Sequence, residues 1–120
     1  MDALTIHEAA ETTGWSARML RYIEAAGLIQ PARSDAGYRL YGAAELQRLR
    51  TLKELQGQHE FSLTDVGFAL RLRSDAQLSD AVEAWFEAEP ERPSDVPADD
   101  WLAFEQSKHE RLLAVSAEIR

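Results

Sequence analysis

The chain has 120 residues, of which 45% are hydrophobic and 28% charged, a balance typical of one folded globular domain rather than a disordered chain. It contains no cysteine, which excludes disulfides, thiolate metal sites and cysteine redox sensing within this sequence. The formal net charge of -8 argues at first sight against a nucleic-acid partner.

The negative charge comes entirely from the last third of the chain. Residues 1–73 hold nine Lys or Arg and nine Asp or Glu, whereas residues 74–120 hold four and twelve. Between Trp15 and Lys53 there are seven basic residues and only three acidic ones. Because the local field matters more than the net charge for docking on phosphate, a basic surface near the front of the chain can still meet DNA.

Membrane and export signals are absent from the sequence pattern. No apolar run approaches the roughly 20 residues needed to span a bilayer. The first residues, MDALTIHEAA, lack the basic-then-apolar layout of a secretory signal. We therefore expect a cytoplasmic protein without a membrane partner.

The first predicted element is a short helix over residues 6–13. Thr5 followed three residues later by Glu8 fits a capping box, in which the two side chains satisfy free amide groups at a helix start. Gly14 is the residue type that ends a helix in the left-handed conformation. The pattern thus predicts both ends of this helix.

A second helix follows after about three residues, which is the helix-turn-helix layout. Ser16 is its predicted N-cap and Gly27 its predicted stop. Side chains three or four residues apart share a face of a helix. The inward face comprises Met19, Leu20 and Ile23, and the outward face comprises Arg18, Arg21, Tyr22 and Ala25.

The next segment is predicted as a two-stranded hairpin with its turn at Gly37. We assign the strands to Leu28–Ile29 and to residues 38–41, and such a small hairpin must lean on neighbouring helices. Residues 37–41 read GYRLY, for which two interpretations stay open. Arg39 can contact DNA from the hairpin, or it can pair with an acid while the tyrosines cover the core.

Four further helical stretches complete the chain. A third helix over residues 43–58 and a fourth over 61–73 are predicted, followed by an acidic helical stretch, a proline-rich corner and a last helix from about residue 101. We predict three segments of the chain: residues 1–73, residues 74–100 with the acidic stretch and the proline-rich corner, and residues 101–120 with the last helix. The expected apolar positions are Leu46, Leu49, Leu52 and Leu55 in the third helix, Ala81, Val82, Trp85 and Phe86 in the acidic stretch, and Trp101, Phe104, Leu112, Val115 and Ile119 in the last helix.

The runs TGWSARMLRYIEAAGLIQPAR and GYRLY, in this order, resemble the N-terminal DNA-binding domain of MerR-type transcriptional regulators. The resemblance covers about residues 3–72. It implies a mainly α fold, a winged helix-turn-helix with a small β-hairpin wing, plus C-terminal helices. It also implies a homodimer that binds double-stranded palindromic promoter DNA and distorts it, so that RNA polymerase becomes a further partner.

The resemblance also implies where DNA is contacted. In that family the second helix enters the major groove and the wing lies against the backbone or the minor groove. Tyr41 matches a family position too, and we expect it to pack the wing. The implied DNA-binding residues are Ser16, Arg18, Arg21 and Tyr22 on the second helix and Tyr38 and Arg39 on the wing.

In this family a long helix pairs with its mate and holds the dimer. Here the last helix is the candidate, later and shorter than usual, and we expect no large effector domain after it. The implied dimer interface comprises Trp101, Phe104, Leu112, Val115 and Ile119.

We predict no enzyme activity, cofactor or metal site. No arrangement of nucleophile, base and oxyanion donors is visible in the sequence. His7, His59 and His109 are too far apart to form a spaced ligand set, and we interpret them as surface or packing residues.

A second hypothesis is a protein-interaction module that keeps the winged-helix fold and no longer binds DNA. It rests on the acidic last third with its aromatic residues, which could dock a partner or cover the basic face. Binding of duplex DNA with site preference would exclude this hypothesis.

Overall fold

The computed structural model describes residues 3–59 and 76–118, and it is mainly helical, as predicted. The predicted helix over residues 61–73 lies outside the described residues. No helix in the described ranges combines the length and the apolar character needed to cross a membrane. The elements are α1 (Ile6–Thr13), α2 (Ala17–Ala25), β1 (Ala32–Arg33), β2 (Arg39–Leu40), α3 (Ala43–His59), α4 (Ala76–Glu87), a 3-10 turn (Ala98–Asp100) and α5 (Trp101–Glu118).

The chain divides into two compact units. The larger unit joins residues 1–50 with residues 90–120, and the smaller unit comprises residues 51–89. α3 begins in the larger unit and continues into the smaller one. The boundaries predicted at residues 73 and 100 stay predictions.

Local hydrogen bonds define both ends of α1. The Thr5 hydroxyl accepts from the Glu8 amide at 3.2 Å, and the Glu8 carboxylate accepts from the Thr5 amide at 2.9 Å, so the predicted capping box is present. Gly14 ends the helix at φ 79°, a left-handed conformation that favours glycine, and its amide donates to Ala10.

The turn between α1 and α2 is closed by side chains. The buried Thr13 hydroxyl donates to the Ala9 carbonyl at 2.8 Å and accepts from the Trp15 amide at 3.2 Å. The Ser16 hydroxyl then accepts from the Met19 amide at 3.1 Å and caps α2, as the sequence predicts. The two helices are therefore held in a helix-turn-helix by their own polar residues.

The hairpin is present, but its first strand was placed wrongly. The strand is Ala32–Arg33 and not Leu28–Ile29, with Ala32 opposite Leu40 and Arg33 opposite Arg39. The reason is that residues 28–29, which follow just after α2, bond back to the end of the helix and pack into the core. The Leu28 amide donates to Ile23 at 3.1 Å, and Ile29 is buried in the core.

Two further contacts fix the hairpin. The Gly37 amide donates to the Ser34 carbonyl at 2.9 Å, and the Ser34 amide donates to the Tyr38 carbonyl at 2.8 Å, which closes the turn. At the other end, Leu4 and Tyr41 exchange two backbone hydrogen bonds of 2.8 Å. The hairpin is thus tied by its base to the residues just before α1.

The core of the larger unit combines apolar side chains from the first three helices with a polar cluster from α5. α5 packs on α1. Its residues Glu105 and His109 are fully buried, and the His109 Nε2 donates to the Leu46 carbonyl at 2.7 Å. Among the buried residues of this unit are Leu4, Ala9, Trp15, Leu20, Ile23, Ile29, Tyr41, Leu46 and Leu49.

The predicted dimer interface on α5 consists of residues other than Glu105 and His109. The apolar stripe suggested a face for a second copy, whereas Glu105 and His109 join α5 to its own chain. Trp101, Phe104 and Leu112 are half-buried. The side chain of Val115 and the whole of Ile119 lie outside the described residues, and the dimer interface stays a prediction.

In the smaller unit, α4 buries three apolar residues. Leu78, Val82 and Trp85 are buried, and the Trp85 indole donates to the Thr51 hydroxyl at 2.8 Å. Leu52 of α3 is also fully buried. Phe86 was expected among the apolar contacts but is 51% exposed.

Candidate nucleic-acid interface

The outer face of α2 carries exposed positive charge. Arg18 and Arg21 are exposed, and neither forms an ion pair with a described residue. Ser16 is exposed beside them while its hydroxyl caps the helix, and Tyr22 is half-buried. This face can therefore donate hydrogen bonds to phosphates and base edges without first breaking an ion pair.

A groove of about 450 Å³ brings the start of α1, the helix α2 and the hairpin together. Three of the predicted site residues, Arg21, Tyr38 and Arg39, contribute to its walls although they come from separate elements. Sequence reasoning had not placed His7 there, and only its position two residues after the Thr5 cap could have indicated it. The lining residues are Thr5, Ile6, His7, Arg21, Gly37, Tyr38 and Arg39.

The tyrosines of GYRLY have opposite environments. Tyr38, beside the turn, is 72% exposed, whereas Tyr41, next to β2, is fully buried. Gly37 adopts φ 88°, and nothing lies within 4 Å of where its Cβ would be. Its left-handed backbone, rather than lack of space, therefore favours glycine at this turn. Tyr41 serves the core, and Tyr38 is presented to solvent.

Arg39 is paired with an acid, as one of the two interpretations of GYRLY expected. Its Nε donates to the Glu24 Oε1 at 2.5 Å, and Arg33 Nη2 donates to the Glu24 Oε2 at 2.8 Å. Glu24 thus holds one arginine from each strand. Sequence reasoning missed Glu24 and Arg33, because neither the hairpin register nor the contact with α2 can be read from local spacing.

The terminal nitrogens of Arg33 and Arg39 differ in their use. Arg33 Nη1 donates to the Gly37 carbonyl at 3.2 Å, so each of its terminal nitrogens donates one hydrogen bond within the protein. Arg39 uses only Nε, and its two terminal nitrogens donate to no described residue. Arg39 can therefore contact phosphate or a base edge while it keeps its bond to Glu24.

Burial raises the pKa of the Tyr41 hydroxyl above its usual value of 10.0, and the nearby Glu24 carboxylate acts in the same direction. The positive charges of Arg39, Arg21 and Arg33 act against this shift. The Tyr41 hydroxyl is buried without a hydrogen-bond partner among the described residues. The net effect keeps Tyr41 neutral beneath a cationic surface.

The fold and this surface define a class of protein. A helix-turn-helix whose second helix exposes arginines, followed by a hairpin that adds Tyr38 and Arg39 to the same groove, is a winged helix-turn-helix of the nucleic-acid-binding type.

Comparison with known families identifies the family to which this winged helix-turn-helix belongs. Residues 4–71 match the model of the MerR HTH family regulatory proteins. The chain belongs to the MerR family, a class of DNA-binding transcriptional regulators that are not enzymes.

Several curated relatives are similar over the same part of the chain. HmrR, an HTH-type transcriptional regulator of Rhizobium leguminosarum bv. viciae, is 36% identical over 78 residues, which is 65% of this chain and 60% of that protein. A probable heavy metal-dependent transcriptional regulator of Haemophilus influenzae is 38% identical over 77 residues, 63% of this chain and 59% of that protein. CueR of Escherichia coli O6:H1 is 33% identical over 79 residues, 65% of this chain and 58% of that protein. The chain spans about three-fifths of the length of these relatives.

Proposed function

We propose that this protein binds palindromic promoter DNA as a homodimer and distorts the site to control transcription. α2 enters the major groove, and the hairpin lies on the backbone or in the minor groove beside it. The observation that supports this most directly is the shared groove, in which Arg21, Tyr38 and Arg39 line one surface. Positively charged donors that two elements present on one surface can contact a groove and the adjacent phosphate backbone of a duplex together.

The residues divide between reading bases and contacting the backbone. Arg18 and Arg21 lie on the exposed face of α2, where a guanidinium can donate two hydrogen bonds to a guanine edge or bind phosphate. Ser16 and Tyr22 border the same face. Tyr38 can donate to a phosphate, and the terminal nitrogens of Arg39 can enter a narrow groove.

The dimer and its consequences rest on the resemblance to the family. In this proposal α5 pairs with α5 of a second copy through the half-buried Trp101, Phe104 and Leu112 and through Val115 and Ile119. A two-fold dimer reads an inverted repeat, because each subunit presents the same helix to one half-site. Distortion of the promoter then changes how RNA polymerase transcribes from it in the cytoplasm.

The metal dependence named for some relatives has no thiolate basis in this chain. The sequence contains no cysteine. The described residues also bring together no group of three or more His, Cys, Asp or Glu that could hold a metal ion.

The proposal is tested by selecting binding sites from a random duplex library, with wild type beside Arg21→Ala, Arg39→Ala and the control Arg111→Ala. Arg111 is an exposed arginine of α5, so its replacement removes the same charge away from the groove. Wild type should recover an inverted repeat. Loss of a base-reading arginine costs about 1–3 kcal/mol of binding free energy, so Arg21→Ala should weaken binding roughly 5- to 150-fold.

The salt dependence of binding separates the two arginines. Arg39→Ala should make the dependence of log K on log salt less steep by about 0.9 for each Arg39 that contacts one phosphate, hence by about 1.8 for the dimer. Arg111→Ala should leave both quantities unchanged. Sedimentation of the protein with its selected duplex should give two chains per site. Failure of wild type to recover any motif would overturn the proposal and favour a protein partner for the winged-helix fold.

A further inference from the structure

Glu24 is the one described residue of α2 that forms ion pairs with both strands of the hairpin. Its two carboxylate oxygens are divided between Arg33 and Arg39, and its side chain is 20% exposed. Arg33 and Arg39 stand directly opposite each other in the two-stranded register. One carboxylate at the end of α2 thus neutralises part of the charge of a cross-strand arginine pair.

This contact is needed because the hairpin is weak by itself. It consists of two residue pairs, and a two-stranded hairpin of this size is not stable alone in water. Like charges directly opposite on two strands repel each other. The Leu4–Tyr41 bridge holds only the base of the hairpin, whereas Glu24 holds the middle.

The division of hydrogen bonds gives the two arginines different tasks. Arg33 connects Glu24 to the Gly37 carbonyl in the turn and uses both of its terminal nitrogens for these bonds within the protein. Arg39 bonds Glu24 through Nε and keeps its terminal nitrogens. Glu24 and Arg33 therefore hold the hairpin in place, and this fixes the position of the Arg39 side chain.

We propose that Glu24 is a positioning residue that fixes the hairpin relative to α2 and so determines how well the protein discriminates its site from other DNA. This inference rests on the proposed function. A side chain locked in place before binding loses less conformational freedom at the matching site. Near DNA, the Glu24 carboxylate also repels phosphate, so it weakens binding to any sequence.

The experiment compares wild type with Glu24→Gln, Glu24→Asp and the control Glu83→Gln, an exposed glutamate of α4. Two probes are used, namely the selected operator duplex and a scrambled duplex of equal length. The dissociation constant for each probe is measured over a range of salt concentrations. Circular dichroism and thermal unfolding show that each variant is folded.

Removal of the charge should change the two affinities in opposite directions. Glu24→Gln frees two guanidinium groups in each subunit, so binding of the scrambled duplex should tighten and its salt slope should steepen by about 0.9 for each added phosphate contact. Binding of the operator should weaken. The ratio of the two affinities should fall at least about 10-fold, a factor that corresponds to 1.4 kcal/mol.

Glu24→Asp separates position from charge. It keeps the carboxylate but is one methylene shorter, so it cannot hold both arginines in the present geometry. We expect a reduced affinity ratio with the salt slope of wild type. An unchanged ratio in both Glu24 variants would overturn the inference, and a fall in Glu24→Gln alone would show an effect of charge without positioning.

Hydrogen exchange provides a readout that does not depend on DNA. The amides of Ser34 and Gly37 donate across the hairpin turn, and they should exchange faster in both Glu24 variants than in the control. If wild type binds no duplex, the proposed function fails, and with it the role of Glu24 in discrimination. Unchanged exchange at the turn would overturn the positioning of the hairpin by Glu24 independently.

Discussion

Two carboxylates, Glu24 and Glu105, each join distant parts of the larger unit through arginine, but in opposite surroundings. Glu24 lies at the surface between α2 and the hairpin, and its side chain is 20% exposed. Glu105 is fully buried between α5 and α3. It accepts from Arg50 Nε and Trp101 Nε1, each at 3.1 Å, and from Gln47 Nε2 at 3.3 Å.

The difference in burial indicates that carboxylate–arginine pairs serve two purposes in this protein, namely stability and the geometry of the surface. A partly exposed ion pair contributes roughly 0–1 kcal/mol to folding because water screens it. Removal of one partner from a buried ion pair costs far more, because the group that remains is shielded from water and has lost that partner. Glu105 should therefore matter for stability, and Glu24 for the geometry of the surface.

The largest expected effect is that of Glu105→Ala. It leaves the Arg50 guanidinium, which is 19% exposed, without this carboxylate, and it removes the acceptor of the Trp101 indole. We expect a loss of about 3–5 kcal/mol in the free energy of unfolding. Urea unfolding followed by circular dichroism measures this loss. Glu110→Ala, an exposed change on the same helix, should alter stability by less than about 0.5 kcal/mol.

An intermediate effect of opposite sign is expected for Tyr41→Phe. The buried Tyr41 hydroxyl has no partner among the described residues, and an unsatisfied buried group costs roughly 1–3 kcal/mol. Its removal should raise the free energy of unfolding by about 1 kcal/mol at pH 7. Tyr38→Phe, at the exposed turn, serves as the control and should leave stability unchanged.

The stability of Tyr41→Phe should depend on pH differently from that of wild type. Because the pKa of Tyr41 is raised in the folded state, folding favours the protonated hydroxyl. This contribution is complete below the ordinary value of 10.0 and is lost as the pH rises through the folded-state pKa. Wild type should therefore lose stability above about pH 10, and Tyr41→Phe should lack that part of the loss. A parallel decline in both proteins would contradict the raised pKa.

The smallest stability effect is expected for Glu24→Gln. Its two ion pairs are partly exposed, so we expect a loss below about 1 kcal/mol in urea unfolding. The contrast with Glu105 depends on this result. A loss comparable to that of Glu105→Ala would show that Glu24 is a stability residue, and its proposed role in discrimination would have to be separated from partial unfolding.

The parts of the fold that the sequence predicts well are those set by neighbours along the chain. The Thr5–Glu8 capping box, the Ser16 cap and the left-handed Gly14 each involve residues within four positions of one another. The face of α2 follows from helical spacing alone, and Leu20 and Ile23 are indeed buried. Such local signals predict where helices begin and end, and hence the helix-turn-helix.

The parts that sequence reasoning missed depend on contacts between distant residues. The first strand was assigned to Leu28–Ile29 because β-like residue types suggested it, whereas packing places Ile29 in the core. Glu105 was missed as a core residue because an apolar stripe was sought, and His109 was predicted only as a surface or packing residue. They lie four residues apart, and their burial requires Arg50 and the Leu46 carbonyl, which no local pattern reveals.

The packing of α5 on the first part of the chain also bears on the order of folding. The bond between His109 and Leu46 closes a separation of 63 residues, and such distant contacts form late because loop closure costs entropy. During synthesis the helix-turn-helix emerges first, but its core remains incomplete until α5 has been made. A chain interrupted before α5 would carry all of the proposed DNA-contacting residues on an unfinished scaffold, so premature termination should yield a weakly folded product rather than a small, stable competitor for the same promoter.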